Sequence, residues 1–210
     1  MGSMRHMGYS FADAIADVMD NSVSASCSTI RLIFPSNAEN IYVGILDDGH
    51  GMSKQELLRA MCYGSQANEK ERSENDLGRF GLGMKSASLS QCRRMTVISK
   101  KDGEISAYRW DYDEIKSQGQ RGDWAVLELN NSEIRQQNCF EDLETLEHGT
   151  LVLWEELDVL YKSSGGRIFE TLTKNRNYLA DHLPLIYHRF ISEDGLKIYI
   201  NYLELEPLDP

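Results

Sequence analysis

The stretch Leu77-Gly78-Arg79-Phe80-Gly81-Leu82-Gly83-Met84-Lys85-Ser86-Ala87-Ser88-Leu89 limits the fold more than any other. It sets three glycines within six positions. The residues after the glycines read as a helix, with Met84, Ala87 and Leu89 apolar and no breaker before Arg93. Glycines ahead of a helix let bare backbone N–H groups close on an anion, and the helix N-terminus adds a partial positive charge. The stretch is therefore a candidate phosphate cradle. Two familiar forms are excluded. The P-loop spacing with its Gly-Lys-Ser ending is absent, and a dinucleotide fingerprint needs a buried strand first, whereas Ser65 to Asp76 is polar and charged. Alone, such a loop is more often a plain turn; its companions in the chain decide.

A chain of 210 residues can bury a full core, and one domain is the default. The formal net charge of −11 argues against a broad nucleic-acid-binding face, which needs clustered Lys and Arg. The small basic run Lys85, Arg93, Arg94, Lys100 and Lys101 reads as a solvated face. Cys27, Cys62, Cys92 and Cys139 lie far apart, without zinc or disulfide spacing, so free thiols in a reducing compartment are expected. No apolar run approaches the ~18 residues of a membrane span, and no signal peptide is expected. The expected location is the cytoplasm, or the nucleus in a eukaryote, with no membrane partner. Met1 to Met7 reads as a tag-like tail.

Ser10 to Cys27 reads as the first helix, with Ser10 as N-cap and Asp13 in a capping-box-like place. Phe11, Ala14, Ile15, Val18 and Ser22 form a core-facing stripe, and Asp13, Asp17 and Asn21 recur at intervals of four along a neighbouring face. Ser28 to Phe34 and Ile41 to Leu46 read as strands; the second ends in Asp47-Asp48-Gly49-His50-Gly51-Met52, and Ser53 caps a short helix from Lys54 to Met61. Tyr63 to Gly78 is a long polar loop just ahead of the glycine cluster and is expected to act as a lid. Strands are expected at Arg94 to Ser99, Ile105 to Trp110 and Trp124 to Leu129, with a hairpin turn at Lys100 to Glu104. Asn131 to Glu147 is polar and partly helical, and His148 to Trp154 is a strand. Thr171 to His182 and Pro184 to Phe190 are helical, and Leu196 to Leu203 is a closing strand.

Four elements fall in order: a helix with Asp17 and Asn21, a strand ending Asp47-x-Gly49-x-Gly51, a lid with Gly78, Gly81 and Gly83, and a strand starting Gly149-Thr150. Each is weak alone; the ordered set is specific. From Ser10 to Trp154 the chain resembles the Bergerat-fold (GHKL) ATPase superfamily of gyrase B, the heat-shock chaperone, histidine kinases and MutL. Within it, Leu46 to Met52, Gly81 to Ser88 and His148 to Val152 are similar to the MORC-type branch and related bacterial ATP-binding proteins. The stretch Tyr178 to Leu205 also resembles how those domains end.

The resemblance implies an α+β fold, a Bergerat-type sandwich in which a mixed, mostly antiparallel sheet carries helices on one face and an ATP lid. It implies ATP and Mg as cofactors. The ATP-binding residues it points to are Asn21, Asp47, Gly49, Gly51, Met52, Gly78, Phe80, Gly81, Leu82, Gly83, Met84, Lys85 and Thr150. Asn21 offers magnesium the hard oxygen it prefers, against the plainer reading of a buried Asn that satisfies backbone groups. Asp47 would accept from the exocyclic amine of adenine, and Gly51 lets backbone approach the purine. Thr150 either assists there or is a plain strand Thr. Lys85 is either a point charge near the phosphates or an exposed helix lysine.

Asp17 departs from the pattern. Hydrolysing members carry a Glu general base four residues before the Asn. Asp is shorter by one methylene, roughly 1.5 Å, and a base must reach its water. Asp20 is the alternative carboxylate, on another part of the helix. The expected function is binding and hydrolysis of Mg-ATP, which drives lid closure and homodimerisation or a clamp motion. DNA-associated work would be reached through regions outside this chain. A non-hydrolysing ATP sensor is the alternative, with a protein kinase of the same fold behind it. Residues 9–210 are expected to form a single domain. Residues 171–210 are its C-terminal extension, leading towards a transducer-like domain.

Overall fold

The computed structural model describes residues 9–62, 83–117 and 126–209. Its helices are α1 (Phe11–Ser24), α2 (Lys54–Met61), α3 (Gly83–Gln91), α4 (Tyr112–Ser117), α5 (Asn131–Arg135), α6 (Phe140–Glu144), α7 (Asp158–Ser163), α8 (Ile168–Ile186) and α9 (His188–Ser192). Its strands are β1 (Thr29–Ile33), β2 (Tyr42–Asp47), β3 (Arg94–Lys101), β4 (Glu104–Asp111), β5 (Leu127–Glu128), β6 (Gly149–Glu155), β7 (Lys197–Ile200) and β8 (Leu203–Glu204). The strands form one open sheet in the order β5-β4-β3-β6-β2-β1-β7-β8. Every neighbouring pair is antiparallel except β1 with β7, which is parallel. This is the mixed, mostly antiparallel α+β sheet expected.

Local chemistry accounts for the elements nearest the motifs. The Ser10 hydroxyl accepts from the Asp13 N–H and opens α1. The stripe Phe11, Ala14, Ile15, Val18 and Ser22 is buried, and Phe11 meets Trp154 edge-on at 6.0 Å. Ser53 and Glu56 exchange side-chain and backbone bonds in a full capping box that starts α2. Between β3 and β4, Asp102 and Gly103 both take positive φ, 53° and 79°, the turn that matches strand twist.

Successive residues of each strand face opposite sides. Val43 and Ile45 of β2, Val97 of β3 and Val152 and Trp154 of β6 join α1, α3, α7 and α8 in the main core. Leu46, Ile98 and Leu151 point the other way, where short α5 and α6 cover part of the sheet with Ile134, Phe140 and Leu143.

Three features differ from the sequence reading. First, α8 runs unbroken through Pro184 to Ile186; burial of Leu179, Leu183 and Pro184 outweighs the backbone bond a proline removes. Secondly, the closing strand is a hairpin, β7 and β8, turned at Asn201 (φ 54°). Thirdly, α4 and α7 have no counterpart among the expected elements. Among the described residues no helix is long and apolar enough to cross a membrane, and all four cysteines are free.

Candidate functional site

Three adjacent strands, β3, β6 and β2, bring Ser99, Thr150 and Asp47 into one row. Thr150 is register-paired with Asp47 on one side and Ser99 on the other. Beside this row, under α1, lies a cavity of about 260 Å³ whose walls include Val18, Asn21, Asp47, Gly51, Met52, Met84 and Thr150. It is therefore the meeting place of motifs that are far apart in sequence. A larger groove of about 510 Å³, between Tyr42, Cys139 and Tyr199, opens on the other sheet face and holds none of the motif residues.

Asp47 is buried. Its Oδ2 accepts from the Ser22 hydroxyl at 2.7 Å and its Oδ1 from the Gly49 N–H at 3.0 Å. Burial pushes its carboxyl above the ordinary value, against the pull of those two bonds and one from the Thr150 backbone N–H. Its neighbour Asp48 turns away and accepts from the Ser28 N–H (2.7 Å), the Ser28 hydroxyl (2.6 Å) and the Thr29 N–H (2.8 Å). Burial opposes the Asp48 charge as well, yet the bonds from Ser28 and Thr29 hold its carboxyl below the ordinary value.

Close backbone packing fixes the loops on either side. Gly51 has φ +64°, and a Cβ there would sit 2.0 Å from the Lys100 carbonyl oxygen. A Cβ on Gly149 would sit 2.2 Å from the Asp47 carbonyl oxygen. Gly51 lines the cavity, but its need to be glycine comes from Lys100. The His148 Nδ1 bonds the Gly49 carbonyl at 2.6 Å, tying the two motif loops together.

On α1, Asn21 is exposed at the cavity edge, and its Nδ2 donates to the Asp17 carbonyl at 2.7 Å. That bond orients the amide and leaves Oδ1 for another partner. Asp17 is half-buried one turn earlier. Its carboxylate accepts from the Tyr9 hydroxyl; that bond and burial raise the Tyr9 phenol, and Ser86 of α3 bonds the same oxygen. Asp20 is turned to α8, where the Tyr187 hydroxyl donates to it at 2.8 Å. Its burial raises its carboxyl, and it does not line the cavity.

Lys85 is neither exposed nor in the cavity wall. It is buried, its Nζ donates to the Cys62 carbonyl at 2.5 Å, and burial lowers its ammonium. Gly83 and Met84 begin α3, with Met84 in the cavity wall. Gly78, Phe80, Gly81 and Leu82, and the expected lid from Tyr63, lie outside the described residues.

Sequence reasoning misses two hydroxyls. Ser22 reads only as a member of the apolar stripe, where a polar residue is the odd one out. Ser99 reads only as the end of a strand. It is fully buried, accepts from the Met52 N–H at 2.8 Å, and contacts the Gly149 carbonyl at 3.1 Å and Thr150 Oγ1 at 2.9 Å. The basic run is neutralised by neighbours: Arg94 pairs with Asp111 and Glu156, Arg93 with Asp113, and Lys101 with Glu56. Lys100 caps the Glu144 and Leu146 carbonyls.

Residues 9–150 match the family model described as histidine kinase-, DNA gyrase B- and HSP90-like ATPase. The chain belongs to this family. ATP binding comes with membership, and Asp17, Asn21, the Asp47 to Met52 segment and Gly149-Thr150 all fall inside or at the edge of the matched region. Relatives include ATPase morc-1 of Caenorhabditis elegans, 32% identical over 94 residues, covering 45% of this chain and 11% of that protein. DNA mismatch repair protein MutL of Colwellia psychrerythraea is 31% identical over 102 residues, 47% of this chain and 15% of that protein. Chaperone protein HtpG of Orientia tsutsugamushi is 28% identical over 117 residues, 43% of this chain and 18% of that protein. The chain thus spans less than a fifth of the length of each.

Proposed function

We propose that the cavity takes the adenine of Mg-ATP and that the chain hydrolyses the nucleotide, with Asp17 as general base. One observation carries the adenine assignment above the rest: the Asp47 carboxylate is buried in the cavity wall, with the Ser22 hydroxyl and the Gly49 and Thr150 backbone N–H groups as its donors. A carboxylate can accept about four hydrogen bonds, and burial makes an unfilled acceptor costly, so an amine donor is the matching ligand group. Val18, Met52 and Met84 supply the apolar surround a purine ring favours.

The α1 face fits the phosphate end. Magnesium keeps several waters and takes few protein ligands when it bridges phosphate oxygens. One outward amide oxygen, on Asn21, suits that role. Bound there, the ion would neutralise charge on the phosphates. Asp17, one helical turn away, would orient the attacking water and take its proton. The Tyr9 hydroxyl already takes one acceptor position on this carboxylate, which favours a second reading, an ATP sensor without turnover.

Closure of the glycine-rich segment over nucleotide and nucleotide-driven homodimerisation complete the proposal. So does a C-terminal extension at residues 171–210 that leads to a transducer-like domain. A DNA-bound partner would be reached through regions outside this chain; the name of one relative, a DNA mismatch repair protein, supports that association.

Phosphate release under single-turnover conditions tests the catalytic part. Asp17→Asn should keep ATP binding and slow release about 100-fold or more, whereas Asp17→Glu should match or exceed the parent. Equal rates for Asp17→Asn and the parent would remove Asp17 as base. Turnover only in Asp17→Glu would establish the sensor.

A further inference from the structure

The Ser99 hydroxyl has three partners and only one way to satisfy them all. A serine hydroxyl has one proton to give and two lone pairs to fill. The Met52 N–H can only donate, so it takes one lone pair. The Gly149 carbonyl can only accept, so it takes the proton. The remaining contact, 2.9 Å to Thr150 Oγ1, has either atom as donor on distance alone. With the Ser99 proton spent on Gly149, the Thr150 hydroxyl must supply the proton. Ser99 is fully buried, so an arrangement that wastes a partner there is costly.

The consequence falls on the cavity wall. With its proton directed into the sheet at Ser99, Thr150 presents only lone pairs to the cavity. Asp47, its register partner on the other side, also presents acceptors. Resting on the reading of this cavity as the adenine site, we propose that Ser99 determines base specificity. It never touches the ligand; it locks Thr150 as an acceptor, so that the wall fits the 6-amino group of adenine and opposes a 6-oxo purine. Ser99 is a positioning residue in this role, and Thr150 is the group that reads the base edge.

Calorimetry with non-hydrolysable triphosphate analogues of adenosine and inosine tests this, since the two bases differ only along that edge. The parent should prefer the adenosine analogue by about 100-fold or more. Ser99→Ala frees the Thr150 proton to turn towards a 6-oxo group, so the preference should fall about tenfold, mostly through tighter inosine binding. Thr150→Val should weaken the adenosine analogue about tenfold and leave the inosine analogue unchanged or tighter. Adding Ser99→Ala to Thr150→Val should not move the preference further. An unchanged preference in Ser99→Ala overturns the proposal, as does equal weakening of both analogues in Thr150→Val. The second arm decides alone if Ser99→Ala fails to fold. If the parent binds neither analogue, or Asp47→Asn binds adenosine as before, the adenine reading fails and takes this inference with it. If Asp47 matters and the Ser99 arm shows no effect, only this inference fails.

Discussion

The two ends of the cavity are built from different materials. At the end proposed for the purine, Asp47 closes β2, Gly51 lies in the loop after it and Gly149 and Thr150 open β6, and each is set by backbone contacts from at least one other strand or loop. At the end proposed for the phosphates, Asp17 and Asn21 stand on one face of a single helix, half-buried and exposed, with the helix fixed from behind by its apolar stripe. On the proposed assignment, recognition of the base would be inseparable from completion of the sheet. The face proposed for catalysis is held by few contacts of its own, the Tyr9 hydroxyl on Asp17 and the Asn21 amide on the Asp17 carbonyl. Under that assignment the Asp17 position would tolerate exchange more readily than Gly51 and Gly149, where a Cβ would strike backbone.

Substitutions graded by size can break or sharpen this contrast. Gly51→Ala should cost the most. Its φ of +64° disfavours a side chain, and the new Cβ would lie 2.0 Å from the Lys100 carbonyl oxygen. Destabilisation of about 3 kcal/mol or more is expected in chemical denaturation, with nucleotide binding lost alongside. Asp47→Asn comes next. The fold should survive, and ATP affinity should drop about 100-fold or more by calorimetry, because an amide places a donor where an acceptor is needed. A variant that binds ATP normally would detach Asp47 from the base.

Asn21→Ala probes the other end. Stability should change by less than about 0.5 kcal/mol, as for other exposed sites. The magnesium-dependent part of ATP affinity, put at about tenfold, should vanish. If removing magnesium and removing this side chain each leave affinity untouched, Asn21 is not the ligand.

The smallest effect concerns the adjacent carboxylates. Asp48→Ala should cost about 1 kcal/mol of stability and leave ATP affinity close to the parent, because Asp48 secures the start of β1. The two carboxylates also separate on acidification. Asp48 is held below its ordinary value, so its stabilisation is present above the unfolded carboxylate range and lost as pH falls through its lower folded value. Asp47 is held above its ordinary value, so it protonates first on the way down and binding that needs its carboxylate fades first. Titrations of affinity and of melting temperature should therefore fall in that order; the reverse order would contradict the assignment.

Local signals are legible in the sequence where the physics is local. Ser10, the Ser53–Glu56 box and the Asp102-Gly103 turn act within a few residues, and their elements appear where expected. Three of the four ordered motifs bring Asn21, Asp47, Gly51, Met52 and Thr150 around one cavity, while Gly78 and Gly81 of the fourth lie outside the described residues. What escapes depends on distant pairing. Ser22 meets Asp47 25 positions later, and Ser99 meets Thr150 51 positions later; neither bond leaves a mark on its neighbours in sequence. Lys85 reads as an exposed or phosphate-facing cation because its stem looks ordinary on a short helix, while its burial comes with the Cys62 carbonyl packed over it. Pro184 reads as a stop because its cost is local and the burial that offsets it is not.

The parallel contact of β1 with β7 has a consequence for how the chain emerges during synthesis. Phe34 donates its N–H to Asn201, 167 positions later, at 2.7 Å. At roughly 5–20 residues per second, a ribosome leaves β1 waiting some 8–30 s for that neighbour. Throughout that interval Ile30 and Leu32 stand beside an open strand edge, the kind of surface that pairs with the wrong chain. The matched family region stops at residue 150, before β7 begins. A fragment that kept β6 but ended before β7 would make the waiting state permanent, whereas the longer chain ends it as soon as β7 docks.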